Sequence, residues 1–163
     1  MGGLEALVFA GQHPEGVGAA WATNSIVDLA QWWRDLPHEP GVSGELGVAD
    51  LIAVEVGDVP DALPDEYRAR SPFAYLDGLA RVPVRITWSP ADGVIPHQRT
   101  THSHLLATHL IERGGEVVEV VLTHLPANES MDAGRFAHEA CDVREAMGWL
   151  AEVLPSAPTE PTK

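Results

Sequence analysis

Three short apolar runs most constrain how this chain can fold. They occupy residues 18–22, 82–88 and 117–122, and stretches with helical periodicity separate them. The first run is continuously apolar, as expected for a strand that is buried on both faces of a parallel sheet. Alternation of such strands with helices predicts an α/β fold with a mostly parallel sheet that helices flank.

The stretches between the strands carry apolar residues at helical spacing. Near the start, Leu4, Leu7 and Val8 fall on one helical face. Toward the end, Val143 and Met147 begin a stripe that continues to residue 154. Helices are predicted at residues 4–12, 29–36, 48–56, 72–79, 97–113 and 139–154.

The chain is long enough for one domain with a core of its own, and we assign residues 1–154 to it. Residues 37–66 are rich in proline, glycine and acidic residues, which predicts an excursion from the sheet that could act as a cap. Residues 155–163 contain three prolines and few apolar groups, so a disordered tail is expected there.

Charge argues against two classes of partner. The 163 residues include ten Lys and Arg against 24 Asp and Glu, for a formal net charge of −14. Binding to nucleic acid or to an anionic membrane surface requires clustered cations, so neither is expected as a partner.

A reducing, cytoplasmic setting is the expectation from the remaining composition. Cys141 is the single cysteine, so no disulfide can form within these residues. The first basic residue is Arg34, whereas a secretory signal begins with a positive patch. The apolar runs are also shorter than the ~20 residues of a membrane-spanning helix. A signal encoded upstream of Met1 would change this expectation.

Asp92 is the first candidate for chemistry. It lies in the loop that follows the apolar run at residues 82–88. Carboxyl ends of parallel strands are where open α/β sheets place functional groups. A carboxylate there can orient an imidazole and stabilise its cationic form. The alternative is a purely structural role, because Asp-Gly is also a turn dipeptide.

Two histidines are candidates for a general base. His124 follows the last predicted strand, and His138 lies near the start of the last predicted helix. Either imidazole could accept a proton near neutral pH. Each also has a structural alternative. His124 could be a strand-end residue bonded to the backbone, and His138 could be an exposed residue in the first turn of a helix.

Four histidines crowd the predicted helix at residues 97–113. His97 and His104, like His102 and His109, are seven residues apart and so share a helical face. Zinc on helices prefers closer pairs, such as i and i+4. We therefore expect a solvated face and no metal or cofactor, with a metal-dependent hydrolase as the rival interpretation.

The sequence offers no convincing nucleophile. None of the seven serines stands in a G-x-S-x-G motif, and the nearest match, around Ser43, lacks the second glycine. Cys141 is followed by Asp142, an acidic neighbour that would raise a thiol pKa rather than activate the thiol.

Several segments together resemble the catalytic domain of the prolyl oligopeptidase family, which has the α/β-hydrolase fold. Met1-Gly2-Gly3 resembles the small residues that follow the nucleophilic serine in that family. Tyr67 to Pro72 resembles the family's Tyr-x-x-x-Ser-Pro segment, and Ser89 to Pro96 resembles the loop that carries the catalytic acid. The resemblance runs from Met1 to about Leu154.

The resemblance implies a role for each candidate. Asp92 would be the acid of the triad, and His138, or else His124, would be the base. The nucleophile would be the residue just before Met1. The backbone N–H of Met1 itself would help to bind the oxyanion. The chain would then be the later part of a catalytic domain that lacks its N-terminal strands, and we expect it to be inactive as given.

Two functions follow as expectations. The first is a serine hydrolase of peptidase or esterase type that, when complete, cleaves peptides or small esters. The second is a non-catalytic α/β module. The strand expected before Met1 is absent from the sequence, so one sheet edge would be open to a second copy of the chain or to another partner.

Overall fold

The computed structural model describes residues 2–36, 47–123 and 143–154 of the chain. Its centre is a sheet of three parallel strands in the order β1-β2-β3. In register, Ala20 of β1 pairs with Val84 of β2, which pairs in turn with Val117 of β3. The strands are β1 at Ala20–Thr23, β2 at Val84–Trp88 and β3 at Val117–Val121.

Seven α-helices surround this sheet within the described residues. Short 3₁₀ turns at Pro14–Gly16 and Pro72–Tyr75 precede β1 and α5 respectively. None of the described helices is long and apolar enough to cross a membrane. The helices are α1 at Gly2–Gln12, α2 at Leu29–Asp35, α3 at Val48–Val56, α4 at Pro64–Ala69, α5 at Leu76–Leu79, α6 at Ser103–Glu112 and α7 at Val143–Val153.

Burial on both faces explains why β2 is the central strand. Every residue of β2 is buried. Its apolar side chains point into the main core, where they meet Leu7 of α1 and Leu106 of α6. On the opposite face, the buried Arg85 donates a hydrogen bond of 2.6 Å to Glu145 of α7. Helices therefore cover both faces of this strand, as the parallel arrangement requires.

A second apolar cluster lies on the other side of α1. It joins Leu4 of α1 to Trp32 of α2, Ile52 of α3 and the fully buried Tyr67 of α4. Trp33 also fastens α2 to α3, because its Nε1 donates to the backbone oxygen of Ala49 at 2.9 Å. Of the predicted excursion at residues 37–66, the described part from residue 47 onward is thus packed onto the domain.

The close contact between the backbones of α1 and α5 explains why glycine occupies positions 11 and 78. A Cβ on Gly78 of α5 would lie 1.9 Å from the backbone oxygen of Gly11 in α1, a clash that no rotamer could relieve. Two helices can approach this closely only where side chains are absent. This contact fixes α1 against α5.

Most of the predicted elements are confirmed, and α3 has the predicted bounds. Two predictions were wrong. The apolar stripe that begins at Val143 and Met147 is exposed, at 55% and 56%, and α7 instead buries Ala146 and Trp149. In addition, α6 begins at Ser103, whereas the sequence pattern placed the helix start at His97. His97 has φ of +63°, a left-handed conformation that cannot continue a helix. Sequence patterns also missed α4. The predicted loop after β3 and the predicted tail lie outside the described residues.

Candidate active site

The ends of β1 and β2 are joined by one side chain. Asn24 follows β1, its backbone N–H donates to Thr87 O at 2.8 Å, and its Oδ1 accepts from Ser89 N at 2.8 Å. Asn24 adopts φ of +45°, a conformation that asparagine tolerates better than most residues. The chain leaving β2 is therefore held against the end of β1.

Ser89 ties the same loop to β3. Its hydroxyl donates to the backbone oxygen of Leu122 at 3.2 Å and accepts from Ala91 N at 3.2 Å. Its side chain is fully buried. Ser89 thus has a structural role, which is to anchor the loop that carries Asp92.

Asp92 lies in the loop at the carboxyl end of β2, as predicted, and is 8% exposed. Its Oδ1 accepts from the backbone N–H groups of Val94 at 2.9 Å and Ile95 at 3.0 Å. Its Oδ2 accepts from Gln98 Nε2 at 3.2 Å. Three donors on two oxygens fix the plane and direction of this carboxylate.

Gln98 is a site residue that the sequence analysis missed. It is 3% exposed, and besides donating to Asp92 it accepts at Oε1 from Ser103 N at 3.3 Å. It therefore connects the carboxylate to the first turn of α6. A glutamine shortly after an Asp-Gly turn is a weak signal, since its two partners meet only in the folded chain.

His102 lies in the same segment but in a contrasting environment. Its side chain is fully buried, and within the described part of the chain neither ring nitrogen has a hydrogen-bond partner. Burial lowers the pKa of His102 to about 4, while the nearby carboxylates of Asp35 and Asp28 act to raise it. This imidazole is held in its neutral form at physiological pH.

The other histidines of this segment separate instead of sharing a face. His104 Nδ1 lies 2.7 Å from Glu119 Oε1 on β3, and His109 Nδ1 lies 3.2 Å from Glu112 Oε2. His97 and His102 precede the helix, so the predicted shared faces do not form. Across the described ranges, no three His, Cys, Asp or Glu residues are grouped to hold a metal ion.

The serines that the structure describes have structural hydrogen bonds. Ser25 Oγ donates to Ile26 O at 2.9 Å, and Ser71 Oγ donates to Tyr67 O at 2.8 Å. Ser103 Oγ donates to Ser25 O at 3.5 Å. With Ser89, all four are buried, and none of them is hydrogen-bonded to a histidine that the structure describes.

The remaining predicted site residues, Met1, His124 and His138, lie outside the described residues. The start of α1 can still be located relative to the strand ends. A Cβ on Gly3 would lie 3.3 Å from Ala22 Cβ and from Ser25 Oγ, so α1 begins in tight contact with the end of β1.

The described part of the site can perform one clear task. A buried carboxylate at the end of the central strand, with its orientation fixed by three donors, can orient an imidazole that approaches it. Nothing in the described residues supplies the nucleophile. The described part of the site therefore offers an oriented carboxylate at the carboxyl end of the central strand.

No family model matches the sequence, and neither does any curated protein. Among solved structures, the chain is similar to uncomplexed acylaminoacyl peptidase from Pyrococcus horikoshii. The two have a TM-score of 0.60 and 16% sequence identity, and the match covers 99% of this chain and 24% of the peptidase. Its orthorhombic crystal form gives a TM-score of 0.52 and 16% identity, over 90% of this chain and 21% of the peptidase.

The chain spans about a quarter of that peptidase's length. At this level of identity the similarity shows the fold alone, which is part of the α/β-hydrolase fold. The fold prediction from sequence is thereby confirmed. The roles of individual residues are not tested by this similarity.

Proposed function

We propose that this chain supplies the acid and base of a serine hydrolase of peptidase or esterase type. The observation that carries the proposal is the position of Asp92, a buried carboxylate that three donors orient at the carboxyl end of the central strand. The α/β-hydrolase fold and the resemblance of the segments around Gly2, Ser71 and Asp92 to one peptidase family support it.

The proposed mechanism divides the chemistry between this chain and a preceding serine. The serine hydroxyl adds to the substrate carbonyl carbon while His138, or else His124, takes its proton. Asp92 orients that imidazole, and the N–H of Met1 stabilises the oxyanion. The imidazolium then protonates the leaving group. Water, activated by the same base, releases the acyl group and regenerates the serine.

It follows from the proposal that residues 1–163 alone are inactive toward esters and peptides. Loss of the nucleophile from a triad leaves only the weak catalysis that binding and oxyanion stabilisation provide. Substrate choice would depend on parts of the complete protein that shape its binding cleft, with residues 37–66 as one candidate.

The test uses the protein isolated from its native host, with p-nitrophenyl acetate as the substrate. We expect Asp92→Asn to lower kcat by roughly 10⁴, because the base loses its correct tautomer and orientation. Asp65→Asn is the matched control, since that carboxylate is 91% exposed on α4. Equal activity of the Asp92→Asn variant and the wild type would contradict the proposal.

The same assay identifies the base. His138→Ala and His124→Ala are compared at constant pH, and the variant of the true base should lose activity as severely as Asp92→Asn does. The other variant should keep most of its activity. Retention of full activity by both variants would rule out the proposed base.

A specific observation keeps a second function open. Among the described strands β1 pairs with β2 alone, so the backbone groups on its other side meet no described strand. A non-catalytic module could complete this edge with a strand from a second copy or from another protein. Absence of hydrolase activity combined with a dimer that Thr23→Pro abolishes would favour this alternative.

A further inference from the structure

An open cavity of about 270 Å³ lies between α1, α3 and the end of α4. On α1 it is lined by Glu5, Val8, Phe9 and Gln12, whose spacing of three, four and seven residues places them on one helical face. Leu7 and the residues on its side of α1 pack against the sheet instead. Neither Asp92 nor any of its hydrogen-bond donors Val94, Ile95 and Gln98 lines the cavity.

The floor of the cavity is apolar. Leu4, Leu29 and Ile52 are all buried beneath it, and Val56 completes the wall on α3. Phe9, which lies beside them, keeps 57% of its surface exposed. A concave apolar surface with a few polar groups at its margin, close in size to the roughly 300 Å³ at which small-molecule sites begin, is typical of a ligand pocket.

The margin carries an excess of negative charge. Three charged side chains line it, Glu5, Glu55 and Arg70. Arg70 Nη1 lies 3.5 Å from Glu55 Oε1, so those two charges largely offset each other. Within the described residues Glu5 has no ion-pair partner, and its carboxylate remains available at the mouth of the cavity.

We propose that this cavity binds a small amphiphilic amine, with its apolar body against Val8, Phe9 and Ile52 and its ammonium group paired with Glu5. Burial of the apolar body supplies most of the affinity. The carboxylate selects the sign of the head group, because an anionic head would meet repulsion there. The inference is independent of the proposed hydrolase activity, since no residue of the Asp92 site lines the cavity.

The test compares three probes with the same eight-carbon tail: octylammonium, octan-1-ol and octanoate. The two ionic probes are kept below their micellar concentrations, and octan-1-ol is kept below its solubility limit. Isothermal titration calorimetry on the 163-residue chain should show one octylammonium bound per chain, roughly tenfold tighter than octanoate and with octan-1-ol between them. Equal or tighter binding of octanoate would overturn the proposal.

Two variants locate the binding. Ala69 lines the cavity and is exposed, so Ala69→Trp should fill the mouth and abolish octylammonium binding. Glu5→Gln should keep the binding of octan-1-ol but reduce the preference for octylammonium over octanoate to near unity. Glu66→Gln is the matched control, because Glu66 is also an exposed carboxylate in the first turn of a helix and does not line the cavity.

Methyl NMR spectra make the outcome independent of any loss of stability in the variants. Octylammonium should shift the methyl resonances of Val8 and Ile52 in the wild-type protein and leave those of Ile86, in the main core, unchanged. Shifts confined to residues outside the cavity, or unchanged binding in Ala69→Trp, would contradict the proposed site.

Discussion

Asp92 and His102 are both buried in the segment that joins β2 to α6, yet their surroundings differ in kind. The carboxylate of Asp92 accepts hydrogen bonds from two backbone amides and one side-chain amide. Both ring nitrogens of His102 lack a partner within the described residues. The orientation of Asp92 is fixed by polar contacts, whereas burial holds His102 in its neutral form.

The comparison shows that burial alone does not equip a titratable group for catalysis. A base must accept and release a proton near neutral pH, whereas burial lowers the pKa of His102 to about 4. Its closeness in sequence to Asp92 therefore does not make it the partner of Asp92. A base for the proposed triad has to come from another segment of the chain.

The largest effect is expected from removing the Asp92 carboxylate. Asp92→Ala leaves Val94 N, Ile95 N and Gln98 Nε2 without their acceptor. We expect the free energy of unfolding to fall by about 4 kcal/mol, measured by urea denaturation at pH 7. A loss below about 1 kcal/mol would show that water replaces these bonds and that the carboxylate is not rigidly held.

A slightly smaller effect should depend on pH. The folded-state pKa of His102 is about 4, below its ordinary value of 6.5, so the unfolded chain binds the proton first as the pH falls. His102 therefore lowers stability progressively from about pH 6.5 to pH 4, by about 3 kcal/mol in all.

The His102→Leu variant isolates this contribution. Relative to the wild type, it should gain stability as the pH falls from 7.5 to 4.5, because other titrating groups cancel in the difference. His109→Gln, in which a partly exposed histidine is replaced, should show no such gain. Parallel stability curves for His102→Leu and wild type would show that His102 titrates normally in the folded protein.

Substitution of Asn24 should lower the free energy of unfolding by an intermediate amount, through a lost hydrogen bond and through backbone strain. Asn24→Ala removes the acceptor of Ser89 N and places alanine at φ of +45°, so we expect a loss of about 2 kcal/mol. Asn24→Gly removes the acceptor but relieves the backbone strain, and it should lose less than Asn24→Ala. Chemical denaturation of both variants tests this order, which equal losses would contradict.

The smallest effect is expected at Gln98. Gln98→Met keeps the shape of the side chain but removes the donor to Asp92 and the acceptor for Ser103 N. We expect a loss of about 1 kcal/mol in thermal and urea unfolding. If the proposed hydrolase activity holds, the same variant of the protein from its native host should lower kcat more than it raises KM, because Gln98 acts through Asp92. An unchanged kcat would assign Gln98 to structure alone.

The strands and the long helices could be predicted because their signals are local. The apolar run that contains β2 and the helical spacing of apolar residues in α1 are properties of short windows of sequence. The buried face of α7 was not predicted, because Ala146 and Trp149 are buried whereas Val143 and Met147 of the expected stripe are exposed. By contrast, α4 is a charged segment with Tyr67 as its one buried residue, so its helical state depends on tertiary contact. Its available signal was Pro64 at the start, with Asp65 and Glu66 in the first turn.

The site was predictable only in part, for the same reason. Asp92 could be placed because it follows an apolar run that had to be a strand. The role of Asn24 depends on a left-handed backbone and on a contact with Ser89, which is distant in the chain. The role of Gln98 depends on how the loop folds it back onto Asp92. The sequence pattern contains neither kind of information. The late start of α6 has this origin too, since the conformation of His97 is set by the loop around it.

The central claim is that this chain carries the acid and base of a hydrolase whose serine precedes α1. Fluorophosphonate labelling of the protein from its native host, followed by intact mass and peptide mapping, tests it most directly. The account predicts a mass well above 17.5 kDa and a label on the serine immediately before Met1. An unlabelled protein with the mass of these 163 residues, or a label on a serine within them, would contradict it.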